Sequence, residues 1–450
     1  VIMDSLRLRW SASAFRLLLL LYVGIQFMHA GGADPFVLKN GIGINYGRVA
    51  DNLPAPSKAV ELMKSINAGY VKIYDADSQV LRALSNSSLP VVITVKNEQV
   101  AGISSSIASS DKWVETNVVP YYPLTKICVI MVGNEILSDT QIKDVWPQLV
   151  PAMENIHSSL AKKKLESSIK VTTSVAMDAF ASSYPPSNGS FRADIASSVM
   201  QPMLRFLNTT DSYFFLDVYP FFAWNSDPAN ISLEYALFGQ ATEDGYSNML
   251  DAQLDAALAA MAALGYGQVR IAISETGWPT KGDSSGATVA NAARYNTRLA
   301  AKLLSNAGTP RRPNTFIPTF IFSLFNENNK PGAATERNWG IFNPNGTPLY
   351  AIDLAAAKTN YTQGVSKSSN PQWCVAIQEA SNDSALQGAL DYACGAGADC
   401  SAIQPGGTCY QPDTLSSHAS YAMNSFWQKA KSSGATCNFN ATATLTTSDP

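Results

Sequence analysis

Short apolar runs alternate with longer segments of helical character along most of this chain. The runs occupy residues 41–46, 70–75, 90–95, 127–132, 170–177, 213–219, 269–274 and 319–325. Each is short, most are rich in Val, Ile, Phe and Tyr, and apolar residues sit at consecutive positions rather than only at every second one. That is the pattern of a parallel strand buried on both faces. Eight such strands with helix-length spacers in roughly 330 residues predict an α/β fold, a (β/α)8 TIM barrel forming one domain over residues 34–362. A doubly wound open sheet buries its strands in the same way. No G-x-G-x-x-G or phosphate-loop motif follows an early run, however, and polar or aromatic residues cluster after every run, where a barrel carries its active residues.

The two ends of the chain read differently. Arg7, Arg9 and Arg16 precede an apolar stretch over 17–27, and the small residues Ala30, Gly31, Gly32 and Ala33 follow. The pattern predicts a signal peptide over residues 1–33, with an anchor or a buried helix as the alternatives; its apolar stretch is well short of the ~20 residues of a membrane span. Eight Asn-x-Ser/Thr sequons, at Asn86, Asn188, Asn208, Asn230, Asn345, Asn360, Asn382 and Asn440, fit a glycosylated protein secreted to the extracellular space or cell wall. Only Cys128 lies before residue 370, whereas Cys374, Cys394, Cys400, Cys409 and Cys437 crowd the tail. They predict a small disulfide-rich domain over 372–450, joined by a linker at 363–371. Five is an odd number for such a framework, so a sixth cysteine is expected beyond Pro450. Zinc is not expected, because His418 is the only tail histidine and no C-x-x-C pair occurs.

Charge narrows the ligand. With 32 basic and 35 acidic residues the chain has no footprint for nucleic acid and suits a neutral partner. Asp75, Asp77, Glu98, Glu135, Asp217, Glu275 and Glu327 all lie at or near run ends, where any of them could cap a helix or hold a surface ion pair. Two stand out. Glu135 follows Gly133-Asn134, and Glu275 precedes Thr276-Gly277-Trp278-Pro279, so both sit where a strand gives way to a loop. If both runs are parallel strands, these carboxylates, 140 positions apart, meet over one pocket, and a facing pair is the equipment for cutting a glycosidic bond without metal or organic cofactor. Tyr46, Tyr74, Tyr219, Phe222, Trp278 and Phe325, also at run ends, could support sugar rings or simply fill the core.

Several longer motifs carry a resemblance. Tyr46-Gly47, Lys72-Ile73-Tyr74-Asp75, Val132-Gly133-Asn134-Glu135, Asp217-Val218-Tyr219-Pro220-Phe221-Phe222, Glu275-Thr276-Gly277-Trp278-Pro279, the segment 325–332 and the segment 336–342 resemble plant family 17 glycoside hydrolases, over roughly residues 40–355. The resemblance implies endo-hydrolysis of 1,3-β-glucans such as callose or laminarin with retention of configuration. Glu275 would be the nucleophile and Glu135 the general acid and base, their carboxyl groups about 5–5.5 Å apart rather than about 6.5–9.5 Å, with Glu135 protonated while Glu275 is ionised. It also favours Tyr46, Asn134 and Tyr219 as substrate contacts, Asn134 to the 2-hydroxyl of the reacting sugar, with Phe222 and Trp278 as further candidates from their place at run ends. Glu327, Lys330 and Glu336 match family positions too, as contacts or as a charge network behind the nucleophile.

In the tail, Trp373-Cys374-Val375, Asp399-Cys400, Gly406-Gly407-Thr408-Cys409, the segment 419–424 and Cys437-Asn438-Phe439 resemble the carbohydrate-binding module of family 43, or X8. This order of domains is that of long plant endo-1,3-β-glucanases, the olive-pollen allergen type included. The resemblance implies disulfides Cys374–Cys437 and Cys394–Cys400, with the partner of Cys409 beyond residue 450. Tyr392, Tyr410, Tyr421, Phe426 and Trp427 are then candidates for stacking on glucan, or packing for the scaffold, with Trp373 in the core. The expected partner is a β-1,3-glucan polysaccharide; nucleic acid is not expected, a membrane only through a lipid-anchor signal beyond residue 450, and the chain is expected to be a monomer. Two other functions remain open: hydrolysis of mixed-linkage 1,3;1,4-β-glucan, and a callose-binding wall protein without turnover.

Overall fold

The apolar runs fold as strands whose residues are buried almost throughout. In the computed structural model these are β1 (Gly43–Tyr46), β2 (Tyr70–Ile73), β3 (Pro90–Val95), β4 (Lys126–Asn134) and β5 (Lys170–Ala176). A short antiparallel pair, β6 (Phe180–Ser182) and β7 (Ser190–Phe191), intervenes before β8 (Tyr213–Asp217), β9 (Arg270–Thr276) and β10 (Thr319–Ile321). β1 to β5 and β8 to β10 are parallel, each beside its neighbour in the chain, and β10 closes on β1. The structure describes residues 38, 41–239, 245–355, 373–377, 383–407, 409–430 and 435–446. The expected signal peptide (1–33), the linker (363–371) and the chain end at Pro450 lie outside these residues. Among the described residues no helix is long and apolar enough to cross a membrane.

Helices follow most of the strands, and their sequences explain where they start and which face they bury. Asp77 caps Ser78–Ala83 by accepting from Gln79 N and Val80 N, and Thr288 caps Val289–Leu304 by accepting from Asn291 N. Val289–Leu304 turns Ala292, Tyr295, Asn296, Leu299, Ala300 and Leu303 inward, the i, i+3, i+4, i+7 stripe of a helix lying on a sheet. Among the described residues after β10, up to 355, the chain instead runs through loops with one 3-10 turn, Ala334–Arg337. Several of the sequence-based strands stop short at their C-terminal ends: β2 at Ile73, β5 at Ala176, β8 at Asp217 and β10 at Ile321, which leaves Tyr74, Asp75, Met177, Val218, Tyr219 and 322–325 outside them. The β6–β7 hairpin was not anticipated, being too short to show a periodicity.

The barrel interior is layered. Tyr70, Val92, Val129, Met131, Tyr213, Phe215, Ala272 and Phe320 form a buried apolar cluster of its own. Two residues further along their strands, on the same face, come Lys72, Thr94, Asp217 and Ser274, all buried and all polar, with Asn45 at the same parity on β1. The interior therefore changes from apolar to polar toward the C-terminal ends of the strands. There the ladders also slip: Leu216↔Ile273 is followed by Asp217↔Glu275, and Met131↔Thr172 by Asn134↔Ser174. Such irregularities re-aim side chains next to sites.

The tail forms a separate compact unit from residue 359 onward. β11 (Trp373–Ala376) pairs with β12 (Ala443–Thr446), and the helices Asp383–Gly395 and Leu415–Ala430 supply Leu386, Ala389, Ala393, Ala419, Ala422, Met423 and Trp427 to one core. Disulfides join Cys374 to Cys437 and Cys394 to Cys400, the pairing that the resemblance implied. The first closes 63 residues and the second 6, so on loop entropy they contribute about 4 and about 2 kcal/mol.

Gly43 in β1 shows how tightly the apolar layer is packed. A Cβ there would stand 2.3 Å from Tyr70 and 2.5 Å from Phe320, two rings already 4.9 Å apart centre to centre. Gly43→Ala is therefore expected to destabilise the first unit by about 1–3 kcal/mol, as overpacked cores do, read as a lower midpoint in thermal or denaturant unfolding.

Candidate active site

At the C-terminal ends of the strands opens a cavity of about 610 Å³, whose lining includes Glu135, Asp178, Asp217, Tyr219, Phe222, Gln253, Glu275, Phe322, Lys330, Glu336 and Trp339. Glu275 occupies the next-to-last position of β9. Its Oε1 accepts from Lys72 Nζ at 2.9 Å and from Tyr74 Oη at 2.6 Å, and its Oε2 accepts from Tyr219 Oη at 2.8 Å. Burial alone would raise this carboxyl. The Lys72 ammonium, the hydrogen bond from Tyr74 and the more distant Lys330 outweigh burial, and Glu275 is held below its ordinary value, hence ionised.

Lys72 lies on β2 with 0% exposure. Its three protons go to Glu275 Oε1, to Ser274 Oγ at 2.6 Å and to Asn134 Oδ1 at 3.1 Å. Burial of an ammonium is tolerable only with such complete pairing. Tyr74 and Tyr219 are pushed well above their ordinary range by burial and by the adjacent Glu275, so both remain hydroxyl donors.

Glu135 is held differently. Gly133 adopts φ +72°, where a Cβ would also collide with Ile136, and Asn97 clamps the next residue by accepting from Asn134 N and donating to Asn134 O. The chain then turns through Glu135 itself in the left-handed region (φ 50°, ψ 36°), a conformation that costs a non-glycine residue about 1–2 kcal/mol. Its N–H donates to Ser174 Oγ, but its carboxyl has no hydrogen-bond partner among the described residues. Burial first, and then the negative charge of Glu275, push it up to about 7. Two glutamates over one cavity are thus driven in opposite directions, one to hold a proton and one to lose it.

The other expected site residues divide. Tyr219, Phe222, Lys330 and Glu336 line the cavity with the two glutamates. Phe222 is 45% exposed and stands beside Tyr219 and Trp339, with ring centres 5.4 and 5.6 Å away. Asn134 is half-buried, its oxygen taken by Lys72 and by Ser174 Oγ and its amide nitrogen without a partner among the described residues. Trp278 corrects the sequence reading: at 0% exposure it packs against Phe221, Trp224 and Tyr295 and donates to Gly286 O, so its ring belongs to the core. Tyr46 is likewise buried, edge-on to Phe325. Glu327 is buried behind the cavity, accepting from Val49 N with Lys330 Nζ 4.0 Å away, which places it in a charge network rather than at the surface.

Of the remaining run-end carboxylates, Asp75 pairs with Arg48 at 2.6 Å, Asp77 caps its helix and Glu98 is exposed. Lys72 escaped the sequence reading as a site residue, as did the lining residues Phe322 and Trp339. Its signal was visible: a lone charge between Tyr70 and Tyr74 on one face of an otherwise apolar strand. In the tail, Trp427 belongs to the core, whereas Tyr392, 60% exposed, meets Phe426 and Phe439 around a surface groove.

Comparison with known proteins places this geometry. The model of Glycosyl hydrolases family 17 matches residues 42–354, and that of the X8 domain residues 372–444. The chain is 46% identical over 432 residues to an Arabidopsis thaliana protein named "Probable glucan endo-1,3-beta-glucosidase A6", covering 92% of this chain and 90% of the relative. It is 36% identical over 447 residues to the glucan endo-1,3-beta-D-glucosidase of Olea europaea, covering 96% and 95%. Among solved structures, CJP38, a beta-1,3-glucanase and allergen of Cryptomeria japonica pollen, superposes with a TM-score of 0.68 at 41% identity, over 70% of this chain and 99% of that one.

The charges make opposite demands on substitutions. Lys72 lowers both carboxyls and Glu275 raises Glu135. Carboxyl titration by 13C NMR should therefore place Glu135 near 7 and move it down toward ordinary values in Glu275→Gln, while Lys72→Met should move Glu275 up. A Glu135 titration indifferent to Glu275→Gln, or a Glu275 titration indifferent to Lys72→Met, would contradict this account.

Proposed function

The chain belongs to glycosyl hydrolases family 17 and carries an X8 domain, and on that premise we propose that it cleaves internal 1,3-β-glucosidic bonds of 1,3-β-glucans with retention of configuration. The observation that carries the reading is the pair of glutamates over one cavity, Glu135 raised to about 7 and Glu275 lowered. Glu275 attacks the anomeric carbon while Glu135 protonates the departing glycosidic oxygen, leaving a glycosyl ester on Glu275 and a carboxylate at Glu135. Esterification removes the charge of Glu275, which after burial is the second cause of the raised Glu135, so the Glu135 carboxylate is no longer repelled. Glu135 then takes a proton from water, whose oxygen displaces Glu275 and restores both groups.

The surroundings fit these roles. Lys72, Tyr74 and Tyr219 fix the attacking oxygens before substrate arrives, so no reorganisation is needed at the moment of reaction. The unpartnered amide nitrogen of Asn134 suits the 2-hydroxyl of the reacting sugar, and Phe222 with Tyr219 offers an aromatic platform. The 1,3 linkage is taken from the relatives, which are named as 1,3-β-glucanases. Residues 1–33 as an export signal, and the sequons, fit action on an extracellular wall polymer.

Glu275→Gln is expected to abolish turnover while oligosaccharide binding persists. Glu135→Ala should lose far less activity on an activated aryl glycoside than on laminarin, because a good leaving group needs no acid. Laminarin should be cut in preference to lichenan, with the β-anomer appearing first by 1H NMR; an α-anomer or a lichenan preference would overturn the reading.

For the tail unit, the groove of Tyr392, Phe426 and Phe439 fits stacking on glucan, and tethering would concentrate the catalyst on an insoluble polymer. Tyr392→Ala should weaken co-sedimentation with insoluble 1,3-β-glucan and leave hydrolysis of soluble laminarin unchanged.

A further inference from the structure

Asp217 ends β8, opposite Ala176 of β5 on one side and Glu275 of β9 on the other. It is 2% exposed and lines the same cavity as Glu135, Tyr219 and Glu275. Neither of its carboxyl oxygens has a hydrogen-bond partner. A buried polar atom left unpaired costs about 1–3 kcal/mol, so a group with two such atoms calls for a partner.

The neighbouring side chains cannot serve. All three protons of Lys72 are committed to Asn134, Ser274 and Glu275. The Ser274 hydroxyl accepts from Lys72 and is turned toward Met131 Sδ; it lies close enough to lower the Asp217 carboxyl, the smallest of the influences on it, without making a hydrogen bond to either oxygen. The hydroxyls of Tyr74 and Tyr219 both donate to Glu275. What remains in front of Asp217 is the cavity.

We infer that Asp217 is a substrate-binding residue, its two oxygens receiving hydroxyl groups of the glucosyl unit that lies against Glu275. This rests on the proposed action on 1,3-β-glucan. Burial, and then the charges of Glu275 and Glu135, hold the Asp217 carboxyl well above the usual carboxylate range. It therefore enters the site as a neutral acid, with one O–H donor and one carbonyl acceptor. A sugar hydroxyl also donates and accepts, so the two are matched in kind. An ionised Asp217 could only accept, and it would compete with Glu275 for the field of Lys72. A glucosyl unit inside a 1,3-linked chain keeps free hydroxyls at positions 2, 4 and 6, and one or two of these are the expected contacts. A site built to pair a hydroxyl discriminates strongly against an analogue that lacks it, because the buried protein group is then left alone.

The test compares full-length wild type, Asp217→Asn and Asp217→Leu on an aryl β-laminaribioside and on its 2-, 4- and 6-deoxy forms, modified in the sugar that bears the aryl group. Asp217→Asn keeps a donor and an acceptor and should hold kcat/KM within about threefold, whereas Asp217→Leu should lose about 100-fold. For at least one deoxy substrate the Leu substitution should cost nothing further, a coupling that a merely structural role would not produce. If Asp217→Leu fails to fold, as judged by its unfolding midpoint, Asp217→Ala carries the same comparison. An equal penalty on all four substrates overturns the assignment, as does an Asp217→Asn variant as impaired as the apolar one. Failure of the wild-type enzyme to cleave the parent compound would overturn the 1,3-glucanase reading itself, and this role with it.

Discussion

The ammonium of Lys72 is the interaction on which the site depends. It sits on β2 without contact with solvent, and its three protons reach Asn134 at the end of β4 and Ser274 and Glu275 on β9. A buried lysine is costly unless every proton and its charge are matched, and here all are. The same contacts tie together strands from separate parts of the chain, and they reverse what burial would otherwise do to Glu275. Without the cation, a carboxyl in this position would keep its proton.

Environment sorts three identical functional groups around that cation. Glu275 receives three donors and loses its proton; Glu135 receives none, faces Glu275 and keeps its proton to about 7; Asp217 is buried with both oxygens unpartnered. Distance from Lys72 and the supply of hydrogen bonds, rather than residue type, separate them. Groups left unsatisfied at the cavity, together with the left-handed backbone at Glu135, cost stability. The apolar layer in the barrel and the shell of helices around it offset that cost, and a fold divided in this way can vary its chemistry without losing its core.

Much of this was legible in the chain itself. Eight short, mainly apolar runs specify parallel strands because a strand buried on both faces has no solvated side to display, and the helix-length spacers then require right-handed crossovers. Glu135 and Glu275 stood out because each ends such a run, and the tail cysteines stood out because such crowding has few other causes. Aromatic residues were the weak point. Trp278 and Phe222 both follow run ends, yet one is fully buried and the other 45% exposed, since local pattern does not reveal which way a loop folds over a barrel mouth.

The sequence by itself determined the eight barrel strands, their order and the place of the two glutamates at strand ends, all of which follow from local hydrophobic pattern and position along a run. Only the tertiary structure decided that Lys72 meets Glu275, 203 positions away, that Tyr74 and Tyr219 donate to the same carboxylate, and that Asp217 is left without a partner. Protonation depends on charges and burial across the whole barrel, and those distances exist only once β10 has closed on β1.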